Sequence, residues 1–135
     1  MQPRHMSARI DKFRYVLPYY NLVGGVLAIR SDQYTMVDGF SNKFEGWGGE
    51  DDDFAARLAD YNLEITRFPG NMSRYSMLRH PPELKNSQRS YVMAANRAVR
   101  GDCHERGCRD DGYKTTRYRL LKVRQQRLFT QLVEL

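Results

Sequence analysis

Two cysteines, Cys103 and Cys108, and a single tryptophan, Trp47, occur in 135 residues. Two thiols this close together fit a local disulfide in an oxidising lumen. A structural zinc site needs four ligands, and counting His104 at most three lie near one another. Apolar stretches are short. None exceeds five residues, Val26 to Ile29 being four, far below the roughly 20 that a membrane helix requires. The start of the chain has no basic segment followed by an apolar one, so no secretory leader and no membrane span are expected within these residues. Internal repeats and low-complexity segments are also missing.

A hydrophobic content of 41% suffices for one packed domain or part of one. The formal charge of +6 is unevenly placed: residues 97–127 hold ten Lys/Arg against four Asp/Glu, which equals the whole excess. With Tyr113 and Tyr118 such a tract has the composition of a nucleic-acid or acidic-membrane contact. A solvated basic face is the more common explanation. A nucleic-acid partner is not expected: it would make the acid cluster a nuclease metal site but leave Trp47-Gly48-Gly49 and Met77 unexplained.

Periodicity predicts alternating α and β elements. Leu22 to Ile29 reads as a buried strand, and Ser31 as the cap of a short helix through Val37 that Gly39 ends. Phe54, Leu58 and Tyr61 recur at helical spacing, so a helix is expected from Glu50 to Tyr61. Leu63 to Phe68 alternates with period two and stops at Pro69-Gly70, a strand and a turn. Arg74 to Arg79 is a candidate short strand and Ser87 to Val99 a helix. Between them, His80 to Ser90 reads as a mobile loop. Arg117–Lys122 and Leu128–Val133 are expected to close the chain as a hairpin.

The most informative stretch is Glu45-Gly46-Trp47-Gly48-Gly49-Glu50-Asp51-Asp52-Asp53. Acids in a first helical turn are each worth roughly 0.3–1 kcal/mol against the helix dipole. Four adjacent carboxylates repel one another and erode that gain unless a cation, a basic ligand or a substrate proton is near. The block therefore points to chemistry, although for Asp51 taken alone a helix-start acid is an equal explanation.

This block resembles the signature of the animal β-1,4-galactosyltransferases, with Glu45 where the family usually has Trp. Gln2-Pro3-Arg4-His5, Asp11-Lys12-Phe13, Leu17-Pro18-Tyr19, Gly24-Gly25-Val26, Asn42, Met77-Leu78-Arg79-His80, Gln88-Arg89 and Leu128-Phe129-Thr130-Gln131 follow in the family's order. The resemblance covers residues 2–99 and 112–135 and leaves Cys103 to Asp111 as an insertion private to this chain. It implies an α/β fold, the C-terminal part of one GT-A type nucleotide-sugar glycosyltransferase domain spanning residues 1–135. The family's Asp-x-Asp half and its membrane anchor would lie upstream. It also implies a Golgi-lumenal, type II membrane protein when complete.

The implied activity is an inverting β-1,4 transfer of galactose or N-acetylgalactosamine from a UDP-sugar to a glycan ending in N-acetylglucosamine or a related sugar. A carbohydrate-binding remnant without turnover is the alternative. By resemblance Asp51 matches the catalytic base, Glu50 and Asp52 match sugar-binding acids, and Met77 and His80 match manganese ligands. A thioether is a soft ligand for a hard ion, so Met77 rests on the resemblance entirely. Trp47 matches a mobile aromatic that Gly48 and Gly49 free to swing. Tyr19 and Arg89 match acceptor contacts, and Gly25 belongs to the donor/acceptor set. Ser90 stands where Phe is usual. Leu22 stands where galactosyl members carry Tyr; members with Leu or Ile there resemble N-acetylgalactosaminyltransferases. Asn71-Met72-Ser73 is a glycosylation sequon in an expected turn.

Overall fold

A computed structural model describes residues 2–102, 111–119, 122–124 and 132–134. In chain order it contains β1 (Arg4–His5), β2 (Arg9–Ile10), β3 (Leu27–Ala28), α1 (Ser31–Met36), α2 (Glu50–Asp60), β4 (Arg74–Tyr75), α3 (Arg89–Asp102), β5 (Lys122–Arg124) and β6 (Leu132–Glu134). Short 3-10 turns at Asp11–Phe13 and Tyr113–Thr115 complete it. The architecture is α/β, and its helices match expectation better than its strands.

The core lies under α2. Phe54 and Leu58 are fully buried on one face of that helix, with Ala55, Val23 and Val37 beside them. Burying each of the two large side chains is worth about 1.5–3 kcal/mol. Phe40 stacks on Phe54 with ring centroids 4.2 Å apart, and Tyr34 packs against both. From the other side Leu27, Ile29, Leu63 and Ile65 close the cluster.

Both core-facing helices end by the same device. After α2, Asn62 takes φ 56°, its N–H donates to the Ala59 carbonyl, and the Leu63 N–H reaches back to the Leu58 carbonyl at 3.0 Å. This is a Schellman ending with Asn in the left-handed position, and Leu63 packs in the same cluster as Leu58. After α1, Asp38 takes φ 62° and the Gly39 N–H returns to the Tyr34 carbonyl. Ser31 is the first helical residue of α1 and Arg30 occupies the cap position, one residue earlier than expected.

The strands are shorter than periodicity predicts. β1 pairs antiparallel with β3, His5 facing Leu27, and its other edge meets Thr66 in a single bridge. Leu22 to Ile29 is thus strand only at β3. Leu63 to Phe68 is not a strand, because the start of that segment is committed to the end of α2; its alternation survives as Leu63 and Ile65 facing the core. Arg74 to Arg79 reduces to β4, which runs parallel to β2. α3 begins at Arg89, two residues later than expected, and extends to Asp102. At the C-terminal end β5 and β6 pair antiparallel with Val123 opposite Val133, so a ribbon forms, with its first strand at Lys122–Arg124 instead of 117–122.

Candidate functional site

Gly49, at φ 100°, is the residue before α2 and offers no side-chain cap. A Cβ there would lie 2.8 Å from the Phe44 ring, so only glycine can make this entry. The first-turn acids therefore serve the free amides themselves: Asp51 Oδ1 accepts the Asp52 N–H at 3.0 Å. Glu50 Oε2 is buried and has no hydrogen-bond partner among the described residues, an acceptor left open for a ligand hydroxyl.

Asp51 faces the segment before β3. A Cβ on Gly24 would meet Asp51 Oδ2 at 2.5 Å and Leu22 Cδ1 at 3.6 Å, so Gly24 makes room for both. Leu22 and the Asp51 carboxylate thus both approach Gly24. Burial pushes the Asp51 pKa above the ordinary carboxylate range, and the charges of Asp52 and Glu50 push it further; the backbone N–H of Asp52 acts in the opposite sense but does not overcome them. Beside it the Tyr19 hydroxyl donates to Asp52 Oδ1 at 2.8 Å. Burial raises the Tyr19 phenol pKa as well, followed by the bond to Asp52 and the nearby acids. A carboxylate that prefers its proton can take one from a substrate hydroxyl.

Trp47 is 54% exposed, which rules out a core role. Its N–H donates to the Leu84 carbonyl at 2.8 Å, and its carbonyl accepts the Asn86 N–H at 2.9 Å. The Trp-Gly-Gly turn and the segment before α3 are thus joined through their backbones. Arg89, the first residue of α3, lies against the same turn, with an Nη1 that would meet a Cβ on Gly48 at 3.3 Å. Between α2 and α3 opens a groove of about 470 Å³ lined by Asp52, Ala56, Ser90, Met93 and Arg97 among others. Gly25, at φ 93°, turns the chain into β3, where the Val26 N–H donates to Ser7 Oγ.

Met77 is partly exposed and His80 exposed. The His80 Nδ1 lies 2.9 Å from the Pro81 carbonyl. A carbonyl only accepts, so Nδ1 carries the proton and Nε2 keeps the lone pair a metal needs. That tautomer fits a ligand role, yet among the described residues no group of three or more His, Cys, Asp or Glu side chains surrounds a common point. Asn71 is exposed in the expected turn, with the Met72 N–H on the Pro69 carbonyl. Cys103 and Cys108 lie outside the described residues.

The fourth acid of the block has a different job. Asp53 is 2% exposed, binds Arg57 Nε at 2.9 Å, and accepts from Asn96 Nδ2 and Arg100 Nη1, each at 3.2 Å. Arg57 in turn pairs with Asp111 at 3.3 Å, whose carboxylate also holds Ser41 Oγ and the Asn42 N–H. Asp111, the last residue of the insertion-like stretch, is therefore part of the buried framework, which the sequence did not announce. The i, i+4 spacing of Asp53 and Arg57 was the available signal for this network; Asp111 is 54 residues away from Arg57 and left none.

The chain is similar to known proteins in sequence and in fold. Residues 4–81 match the family model described as the N-terminal domain of galactosyltransferase. β-1,4-Galactosyltransferase 1 of Mus musculus is 37% identical over 134 residues, covering 97% of this chain and 32% of the relative. β-1,4-Galactosyltransferase 2 of Mus musculus is 34% identical over 131 residues, with 97% and 34% covered. The chain thus spans about a third of the length of these relatives. A crystal structure of a Drosophila β-1,4-galactosyltransferase 7 mutant with manganese, UDP-Gal and xylobiose superposes with a TM-score of 0.63 at 23% identity, covering 98% of this chain and 54% of that one. At that identity the likeness speaks for the fold, which is the C-terminal portion of a GT-A type domain. On its sequence and its fold together, the chain belongs to the animal β-1,4-galactosyltransferase family.

Proposed function

We propose that this chain carries the acceptor side and the catalytic base of an inverting β-1,4-glycosyltransferase. The donor is a UDP-sugar bearing galactose or N-acetylgalactosamine, and the acceptor is a glycan ending in N-acetylglucosamine or a related sugar. The observation that carries the reading is the Asp51 carboxylate at the start of α2, pressed against Gly24 and raised in pKa by burial and by its acidic neighbours. Asp51 takes the proton of the acceptor hydroxyl as that oxygen bonds to the sugar's anomeric carbon. The bond from that carbon to the UDP oxygen breaks on the opposite face, which gives inversion. A helix first turn holds the base rigidly, as in-line attack requires.

Tyr19 with Asp52 and the open Glu50 oxygen orient sugar hydroxyls, while Trp47 offers an exposed ring for a sugar's apolar face. Arg89 and the groove beside Ser90 continue the acceptor side. Met77 and His80 would supply part of the ligand set for a manganese ion, which when bound neutralises charge on the leaving diphosphate. Leu22, which with Asp51 flanks Gly24, stands where the resemblance puts the residue facing the donor's C2 position, and a leucine there in place of a phenol supports the N-acetylgalactosamine donor. A Golgi-lumenal setting and modification of Asn71 go with this reading.

The test is Asp51→Asn in the full-length protein, assayed with both donors and manganese. kcat is expected to fall roughly 10²–10⁴-fold, the usual contribution of a general base, with donor affinity nearly intact. A variant that keeps most of its turnover moves the base to another carboxylate, and a wild type that binds glycans without turnover supports the remnant reading instead.

A further inference from the structure

We propose that Arg67 is a positioning residue for this reaction: by holding the Tyr20 and Leu22 carbonyls it fixes the segment that brings Tyr19 to Asp52 and Gly24 to Asp51. The inference rests on the functional reading above and extends it to a residue outside the family signature.

The segment from Val16 to Val26 has no paired strand, since β3 begins only at Leu27. It nevertheless supplies three contacts of the site, through Tyr19, Leu22 and Gly24. The chain turns at Tyr19–Leu22, with the Leu22 N–H on the Tyr19 carbonyl, and the carbonyls of residues 20, 22 and 24 are met by side chains instead of a neighbouring strand. Arg67 Nη2 donates to the Tyr20 carbonyl and, at 3.0 Å, to that of Leu22. His5 Nε2 donates to the Gly24 carbonyl at 2.9 Å. At the next alternate position the backbone takes over, with the Met6 N–H on the Val26 carbonyl at 2.8 Å.

Arg67 is an expensive choice for stability alone. Burial lowers its pKa, opposed by the Tyr20 phenol. Its Nε is buried without a hydrogen-bond partner, and among the described residues no carboxylate pairs with it. The guanidinium also lies 5.7 Å from the Tyr20 ring centroid, so the ring and two carbonyls of one turn share a single planar group. One nitrogen, Nη2, serves both carbonyls through its two N–H groups, held at the end of a rigid planar group that an ammonium on a flexible stem lacks. The arrangement suits the fixing of a turn whose side chains must meet substrate.

Arg67→Met and Arg67→Lys in the full-length protein test this. Arg67→Met is expected to raise the acceptor KM about tenfold or more, as displaced contacts do, with a smaller change in kcat. Arg67→Lys is expected to recover part of the loss. Tyr19→Phe should raise the acceptor KM in the wild type and add nothing in Arg67→Met, because Arg67 acts through Tyr19. A second readout does not depend on turnover: the titration of Tyr19, followed by NMR of ring-labelled tyrosine. In Arg67→Met it should move down toward the ordinary phenol value as the bond to Asp52 is lost. Removing a cation alone moves a phenol the other way. If Arg67→Met does not fold, Arg67→Lys carries both comparisons. An acceptor KM within twofold of wild type together with an unchanged Tyr19 titration overturns the proposal, even if the melting temperature falls. A wild type without transfer defeats the functional reading, while the Tyr19 titration still decides the role of Arg67.

Discussion

Asp51 and Asp53 stand two residues apart in the same helical turn, and their surroundings are opposite. Asp53 is fully enclosed and met by Arg57, Arg100 and Asn96. Asp51 has a neighbour's backbone N–H, a glycine against its oxygen and two like charges beside it. The helix dipole favours both acids by roughly 0.3–1 kcal/mol, so it does not distinguish them. What distinguishes them is partners. The paired acid ties α2 to α3 and to Asp111, whereas the unpaired one keeps an affinity for protons that binding energy has not used up.

The largest effect should come from breaking the paired side. Asp53→Ala leaves Arg57 with the Asp111 carboxylate alone, takes their acceptor from Asn96 and Arg100, and is expected to cost up to about 3–5 kcal/mol of stability, read as a lower urea midpoint. A loss below 1 kcal/mol would mean that Arg57 finds adequate compensation in the Asp38, Gly39 and Asp111 carbonyls it already touches.

On the other side, Leu22→Tyr should shift donor preference toward UDP-galactose. A phenol there opposes the acetamido group and leaves its polar atoms unpaired, about 1–3 kcal/mol, or roughly ten- to a hundredfold in the kcat/KM ratio. Unchanged ratios for the two donors would make Leu22 a packing residue only. Tyr19→Phe removes one hydrogen bond to Asp52, worth about 1 kcal/mol, and should weaken the acceptor more than the donor in side-by-side titrations.

The smallest effect sharpens the contrast by its sign. Because the folded-state pKa of Asp51 is raised, the folded protein holds this proton more tightly than the unfolded chain. Ionising Asp51 therefore costs stability as pH rises from the ordinary carboxylate value through the raised one. Asp51→Asn should melt slightly higher than wild type at neutral pH, and the difference should vanish below about pH 3.9. A mutant that melts lower at neutral pH would contradict the assignment of an under-partnered carboxylate.

Helix α2 was legible almost to the residue, because Phe54, Leu58 and Tyr61 keep helical spacing; the left-handed Asn62 that ends it was not singled out. The strands were not, since alternation reports which side chains face inward but not where backbone bonds go. In Leu63 to Phe68 the inward faces were right, yet the Leu63 N–H belongs to α2 and only Thr66 is bridged. At the site, the acidic block announced itself, but the resemblance alone separated Asp51 and Asp52 from Asp53. The contact of Asp51 with Gly24 joins residues far apart in sequence and has no local signal. His5 was legible as part of a motif, whereas its bond to the Gly24 carbonyl emerged only in three dimensions.

The account stands on Asp51 as a base whose pKa the fold raises, and the pH dependence of kcat/KM for the full-length protein, measured where it remains folded, tests it. On the acid side kcat/KM should fall through an apparent pKa above the ordinary aspartate value of about 3.9, and that limb should disappear from the residual activity of Asp51→Asn. A limb at or below the ordinary value, or one that Asp51→Asn retains, would contradict it.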